Sequence, residues 1–172
     1  APALTADGTL SYTPAANALG VATVSVLLHD DGGTADGGVD TAPVETFTIT
    51  VGAVSDAPSG SDHTVSTRED MAYTLAVADF GFSDPADNPA NQFDRVKIAS
   101  LPTVGALKLD GQALAIDALV SVADIQAGKL VFQPLADANG NAYASFTFQV
   151  GDDGGTANGG LDSSAIDSFT IT

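Results

Sequence analysis

Residues 30–40 read Asp30-Asp31-Gly32-Gly33-Thr34-Ala35-Asp36-Gly37-Gly38-Val39-Asp40. The same stretch returns at Asp152-Asp153-Gly154-Gly155-Thr156-Ala157-Asn158-Gly159-Gly160-Leu161-Asp162, changed only at Asp36/Asn158 and Val39/Leu161. The copies lie 122 residues apart. A fixed spacing means that each copy belongs to one supersecondary unit of a repeated module. The flanks agree: Phe47-Thr48-Ile49-Thr50 answers Phe169-Thr170-Ile171-Thr172 at the same spacing. Upstream, Gly8-Thr9-Leu10-Ser11-Tyr12-Thr13-Pro14 answers Gly128-Lys129-Leu130-Val131-Phe132-Gln133-Pro134 with a shift of two residues. This register places the second half of a module at residues 1–52, a linker at 53–60 and a complete module at 61–172. The expectation is a window cut from a longer array. The alternative is completion by strands of another molecule, because a half-module left alone exposes unpaired strand edges.

Side chains that alternate between apolar and polar mark half-buried strands. Alternation is visible in Leu10-Ser11-Tyr12, Val24-Ser25-Val26, Val96-Lys97-Ile98 and Phe146-Thr147-Phe148-Gln149-Val150. Further strands are predicted at His63–Ser66, Met71–Leu75, Ala106–Leu109, Ala113–Ile116 and Ser168–Thr172, separated by Gly, Pro, Asn and Asp clusters. Only Val122–Gln126 reads as a helical turn. About seven short strands in a module of this size predict an all-β fold, with immunoglobulin-like or cadherin-like β-sandwich repeats in tandem.

The chain has 172 residues, 44% of them hydrophobic, enough to bury a core. Five basic residues stand against 22 acidic ones, for a formal charge of −17, which disfavours nucleic acid and anionic lipid as partners. The acids are 20 Asp and only Glu45 and Glu69. Asp is the poorer helix former and belongs to turns and cation-binding loops. Each bound Ca²⁺ would cancel two units of self-repulsion; a simply solvated acidic surface is the plainer reading. The absence of cysteine removes disulfides, zinc knuckles and thiol nucleophiles. No apolar run approaches the roughly 20 residues of a membrane span, and Ala1 does not begin a signal pattern, so any targeting signal is expected outside this stretch.

Leu101-Pro102 followed by Gly105-Ala106-Leu107-Lys108-Leu109-Asp110-Gly111, then Val122-Ala123-Asp124-Ile125 and Ala127-Gly128-Lys129-Leu130-Val131-Phe132-Gln133-Pro134, resembles the cadherin-like tandem repeats of giant bacterial surface proteins. Tyr143 to Val150 running into Asp152-Asp153-Gly154-Gly155 is similar to the closing strands of those repeats. The resemblance covers most of residues 56–172 and the half-module at 7–52. It implies an adhesin of the RTX type, exported by a type I system, stiffened by calcium and used at the cell surface or outside the cell in attachment and biofilm. The Gly-Gly-x-Gly-x-Asp nonapeptide array that often accompanies such proteins is absent from this stretch.

Three groups of residues are candidate Ca²⁺ ligands, because calcium takes six to eight oxygens from carboxylates, amides and carbonyls. The first is the duplicated loop, with Asp30, Asp31, Asp36 and Asp40 in one copy and Asp152, Asp153 and Asp162 in the other. Asp36-Gly37 and Asn158-Gly159 read equally well as plain hairpin turns. The second lies between Phe82 and Asp94, where Asp84, Asp87 and Asn91 alternate with Pro85 and Pro89; a pinned surface loop is the alternative. The third is the boundary, Asp56 with Glu69 and Asp70, where a cation between modules would stiffen a joint that is otherwise a flexible linker.

Catalysis is not expected. His29 beside Asp30 has the composition of a general base, but there is no Gly-x-Ser-x-Gly elbow, no Cys and no phosphate-binding loop. Paired carboxylates without Trp, and with Tyr12, Tyr73 and Tyr143 on apolar alternations, do not make a sugar-cleaving cleft. The expected role is a calcium-stabilised spacer whose partners are neighbouring repeats, possibly with self-association. A glycan- or protein-binding module is the alternative and would require an exposed apolar or aromatic patch.

Overall fold

The computed structural model describes residues 2–5, 7–141 and 143–172. Two units follow one another, Ala1–Ala53 and Val54–Thr172. Both are built from β-strands, with one short α-helix among the described residues. No helix among them is long and apolar enough to cross a membrane.

The first unit holds two antiparallel pairs: β1 (Ala3–Leu4) with β2 (Leu10–Ser11), and β3 (Gly20–Val26) with β4 (Glu45–Val51). In the longer hairpin Ala22 faces Ile49 and Val24 faces Phe47.

The second unit holds two sheets that share one hydrophobic core. Its strands are β5 (His63–Val65), β6 (Tyr73–Thr74), β7 (Phe93–Ser100), β8 (Ala106–Leu109), β9 (Gln112–Ala113), β10 (Leu119–Ser121), β11 (Leu130–Gln133), β12 (Ala144–Asp152) and β13 (Asp167–Ile171). One sheet runs β10-β7-β12-β13-β5 and the other β6-β11-β8-β9. All pairs are antiparallel except β13 with β5. The β12–β13 register repeats that of the first unit: Ala144 faces Ile171 and Phe146 faces Phe169, each 122 residues after its counterpart. The duplication in sequence is thus a duplicated hairpin.

Period-two alternation explains the core. Phe146, Phe148 and Val150 of β12 are buried, while Ser145, Thr147 and Gln149 alternate with them and are less covered. Val96 and Ile98 of β7 and Phe169 and Ile171 of β13 extend the same inner face. Leu107 of β8 and Leu130 and Phe132 of β11 belong to the same cluster from the second sheet. Phe146 stacks on Phe169 with ring centroids 5.0 Å apart, and Phe80 meets Phe148 edge-on at 5.0 Å. Each such pair adds about 1 kcal/mol beyond burial.

Connections follow turn chemistry. Asp110 and Gly111 both take positive φ, 48° and 78°, the conformation of a two-residue hairpin loop, and they join β8 to β9. The strand predicted over Ala113–Ile116 ends at Ala113, since the chain turns through Asp117 at φ 65° to start β10. The predicted turn at Val122–Gln126 is the helix α1 (Val122–Gln126), capped by Ser121 Oγ accepting from Asp124 N at 3.1 Å.

A buried polar contact ties β6 to the following 3-10 turn, Val77–Phe80. Tyr73 donates its hydroxyl to Asp79 Oδ2 at 3.0 Å, Ala76 N donates to the same oxygen at 2.8 Å, and His63 Nε2 lies 3.6 Å from Asp79 Oδ1. Burial, then the hydrogen bond and charge of Asp79, push the Tyr73 phenol up to about 12. Tyr73→Phe removes one donor from a buried carboxylate that keeps its backbone partner. It is expected to lower the stability of this unit by about 1 kcal/mol in urea denaturation.

Candidate metal centre

The loop between Phe82 and Phe93 is clamped at its base: the two rings stack with centroids 4.7 Å apart and 7° between planes. Within it Asp84 Oδ2 accepts from Asn91 N at 2.8 Å, and Asp87 Oδ2 accepts from Asn91 Nδ2 at 2.8 Å. Asp87 Oδ2 also accepts from Asp56 N at 3.0 Å, which draws the segment that opens the second unit onto this loop. Asn91 Nδ2 donates further to Ser55 Oγ at 2.9 Å. Ser55 is held in turn by the duplicated loop: Leu161 N donates to Ser55 O at 2.8 Å.

Asp152, the last residue of β12, completes the group. Its Oδ1 accepts from Gly154 N at 2.8 Å. Gly154 has no room for a side chain, since a Cβ there would collide with Asn91 Nδ2 and Ser55 Oγ. Three stretches far apart in sequence therefore meet at one end of the second unit: Ser55-Asp56, Asp84–Asn91 and Asp152–Gly154.

Two carboxylate oxygens at this end are left over. Asp84 is 7% exposed and Asp152 1% exposed, and Asp84 Oδ1 and Asp152 Oδ2 are buried without a hydrogen-bond partner. Burial pushes the Asp152 carboxyl above its ordinary range; the Gly154 N–H bond opposes this, and the charges of Asp84, Asp162 and Asp87 add to it. A buried anion held near like charges with unused lone pairs is unstable unless protonated or matched by a cation. No set of three or more His, Cys, Asp or Glu among the described residues is already arranged around a common metal position. Any cation here would draw on carbonyl, amide and hydroxyl oxygens and on water as well, the donor set that calcium takes.

The other candidates lie differently. Asp153 Oδ1 accepts from Gln92 N at 2.8 Å and supports the same loop from outside. Asp162 Oδ2 pairs with Arg95 Nη2 at 2.9 Å; burial pushes its carboxyl up, but the Arg95 hydrogen bond and charge outweigh that and leave it lowered. Asp162 thus has its cation already. Asn158 sits at φ 57° in a 3-10 turn followed by Gly159 at φ 88°, so the tip of the loop is a turn. In the first unit Asp36 at φ 55° forms the same turn. There Asp30 Oδ1 accepts from Gly32 N at 2.8 Å, Asp40 Oδ2 pairs with His29 Nε2 at 3.2 Å, and Asp31 is exposed. Glu69 and Asp70 are not at this end. Asp70 Oδ1 accepts from Asp137 N and Glu69 Oε2 from Asn139 Nδ2, just before β12 begins, whereas Asp152 closes that strand. A nine-residue strand separates the two ends by roughly 27 Å.

The sequence reading did not single out Ser55, Gly154 or Arg95. Ser55 lies 106 residues from Leu161, and no local pattern foretells that pairing.

No protein-family model, curated protein or solved structure matches the chain. Fold and site therefore rest on the chain's own geometry: a mostly β protein in several sheets, with an acidic cluster at one end of its larger unit.

Proposed function

We propose that Val54–Thr172 is an immunoglobulin-like or cadherin-like β-sandwich repeat, stabilised by Ca²⁺, and that the chain serves as a spacer in a bacterial cell-surface or secreted adhesin. The strand order supports the fold part of this reading. Setting aside the short β9 and β10, the second, fifth and fourth strands share one sheet and the third, sixth and seventh the other, as in immunoglobulin-like domains; the first strand, β5, departs from the constant-type division by pairing parallel with β13 in the latter sheet. The acidic composition and the repeat support the role: it is mechanical, its partners are neighbouring repeats, and calcium stiffens it.

The observation that carries the calcium reading is the pair of unpartnered buried oxygens, Asp84 Oδ1 and Asp152 Oδ2, in a cluster that also holds Asp87 and Asn91. Asp84, Asp87 and Asp152 would hold the ion, with Asn91 or Ser55 turning an oxygen toward it. Bound calcium would supply charge compensation and a cross-link between the strand ends. The duplicated Asp-Gly loop contributes through Asp152 rather than as a self-contained chelating loop.

Thermal unfolding in metal-depleted buffer tests this. Added Ca²⁺ is expected to raise the midpoint in a saturable way, by about 4 kcal/mol of stabilisation at a thousandfold excess over Kd, and EDTA to reverse it. Mg²⁺, with its tighter octahedral demand, is expected to substitute poorly. A midpoint indifferent to Ca²⁺ and EDTA would remove calcium from the proposal.

A further inference from the structure

The ladder between β7 and β12 breaks where the candidate metal centre begins. Arg95 lies opposite Gly151, but the next pair is Phe93 opposite Asp152, which leaves Asp94 as the extra residue of a bulge. A bulge loosens the strand end from its neighbour's main chain, and some other contact has to fix it. Arg95 is placed to do so. Its Nη1 donates to the Asp152 carbonyl oxygen at 3.0 Å, and its Nη2 pairs with Asp162 Oδ2 at 2.9 Å. Asp152 N donates in turn to Asp162 O at 3.1 Å, so one guanidinium holds both ends of the loop that runs from Asp152 to Asp162.

The approach is written into the sequence at Gly151. A Cβ there would lie 2.9 Å from Arg95 Cζ and 3.0 Å from its Cγ and Nε, so only glycine lets the arginine cross β12 at this point. The charge of Arg95 is matched outside the acidic cluster, by Asp162 and by Asp94 Oδ2 at 3.2 Å. Burial works against ionisation of Arg95, but the hydrogen bonds and charges of Asp162 and Asp94 outweigh it and raise its value. Among the described residues no basic side chain pairs with Asp84, Asp87 or the Asp152 carboxylate. In the first unit His29 stands in the place of Gly151 and brings its Nε2 within 3.2 Å of Asp40 Oδ2, the counterpart of Asp162. A basic side chain thus closes the base of the loop in both units, from the neighbouring strand in one and from within the hairpin in the other.

We propose that Arg95 is the positioning residue of the calcium site: by holding the Asp152 carbonyl and Asp162 across Gly151, it keeps the Asp152 carboxylate on the inner side of the strand, where the ion would sit. This rests on the calcium reading above and adds to it a residue that touches no metal. Two effects of opposite sign come from the one side chain. Its positive charge opposes a nearby cation, so charge alone predicts tighter Ca²⁺ binding once Arg95 is neutralised. Its hydrogen bonds fix a ligand in place, so positioning predicts weaker binding. A partner that orients a metal ligand is worth about tenfold to a hundredfold in affinity. A charge already matched by two carboxylates is worth less, and positioning therefore wins.

Calorimetric titration of the full chain with Ca²⁺, at a temperature where each metal-free variant keeps the parent's circular dichroism, reads the sign. Arg95→Gln is expected to bind Ca²⁺ at least about tenfold more weakly than the parent. Arg95→Lys keeps the charge but cannot reach both oxygens at once, so it is expected to bind about threefold to tenfold more weakly, and it carries the test should the glutamine variant not fold. Because Arg95 acts through Asp152, Asp152→Asn is expected to cost less affinity in the Arg95→Lys background than in the parent, a coupling that general destabilisation does not produce. In metal-free protein, amide exchange at Asp152, Asp153 and Gly154 is expected to quicken in both variants while β8 and β11 keep the parent's protection. Variants that bind as tightly as the parent or more tightly, an equal Asp152→Asn penalty in both backgrounds, or unchanged exchange at these amides would each overturn the role of Arg95 and leave the calcium site standing. A parent that takes up no Ca²⁺ would remove the calcium reading itself, and the role of Arg95 with it.

Discussion

In metal-depleted buffer at neutral pH, Asp152→Asn is expected to raise the unfolding midpoint of the second unit, and in millimolar Ca²⁺ the same substitution is expected to leave it well below the unsubstituted protein. The reversal follows from what Asp152 does in each condition. Without a cation its carboxylate is 1% exposed with an oxygen that has no partner, and burial and the charge of Asp84 weigh against ionisation. Asparagine keeps an oxygen for the Gly154 N–H bond and puts an N–H donor among acceptors. Relief of a buried unsatisfied group is worth about 1–3 kcal/mol, roughly 4–12 °C for a unit of this size. With calcium the carboxylate becomes a ligand, and its loss forfeits most of the roughly 4 kcal/mol that saturating metal supplies. The pH dependence has a matching sign. The folded carboxyl is raised above its unfolded value, so its contribution is fully present below about pH 4 and is lost as pH rises through the raised value. Asp167, raised by burial and then by Asp62, adds a slope of the same sign. Metal-free protein should therefore lose stability from pH 4 toward neutral, and Asp152→Asn should flatten that slope. Calorimetry of both proteins across pH, with and without Ca²⁺, reads all of this. A variant less stable than its parent in both conditions would mean that Asp152 is a structural acceptor and not a cation ligand.

Much of this is legible in the sequence because the informative signals are local. Ala106–Leu109 and Val122–Gln126 coincide with β8 and α1, since alternation, an Asp-Gly turn and a Ser cap all act within a few residues. β10 went unpredicted because Leu119–Ser121 is short and only Val120 is buried, a pattern that becomes a strand only through pairing with β7. At the site, Asp84, Asp87 and Asn91 could be read from one stretch because two phenylalanines and two prolines confine it. What could not be read was long-range arrangement. Glu69 and Asp70 follow Asp56 closely in sequence, yet the segment between runs alongside β13, pairs with it through β5 and reaches the far end of the unit. Asp162 looked like a ligand until Arg95, on a strand much earlier in the chain, took its charge.

Phe169→Ala and Phe47→Ala remove the same side chain from the same position of the duplicated hairpin, and their expected effects are far apart. Phe169 is fully buried, stacks on Phe146, and lies within 6.4 Å, ring to ring, of His63, Tyr73 and Phe80. Deleting a buried phenyl group removes its transfer free energy and leaves a cavity, for about 3–5 kcal/mol. That is a large share of the stability of a domain this size. Phe47 faces Val24, a smaller residue than Phe146, and is 43% exposed, so its removal leaves no enclosed cavity and is expected to lower the stability of the hairpin by less than about 1 kcal/mol. Amide exchange separates the two units in one experiment: Phe169→Ala should weaken protection across β12 and β13, and Phe47→Ala should change only β3 and β4. A large penalty at Phe47 would mean that its apolar face is covered in solution. The contrast between two phenylalanines 122 residues apart thus measures what a covered inner face adds to the same hairpin.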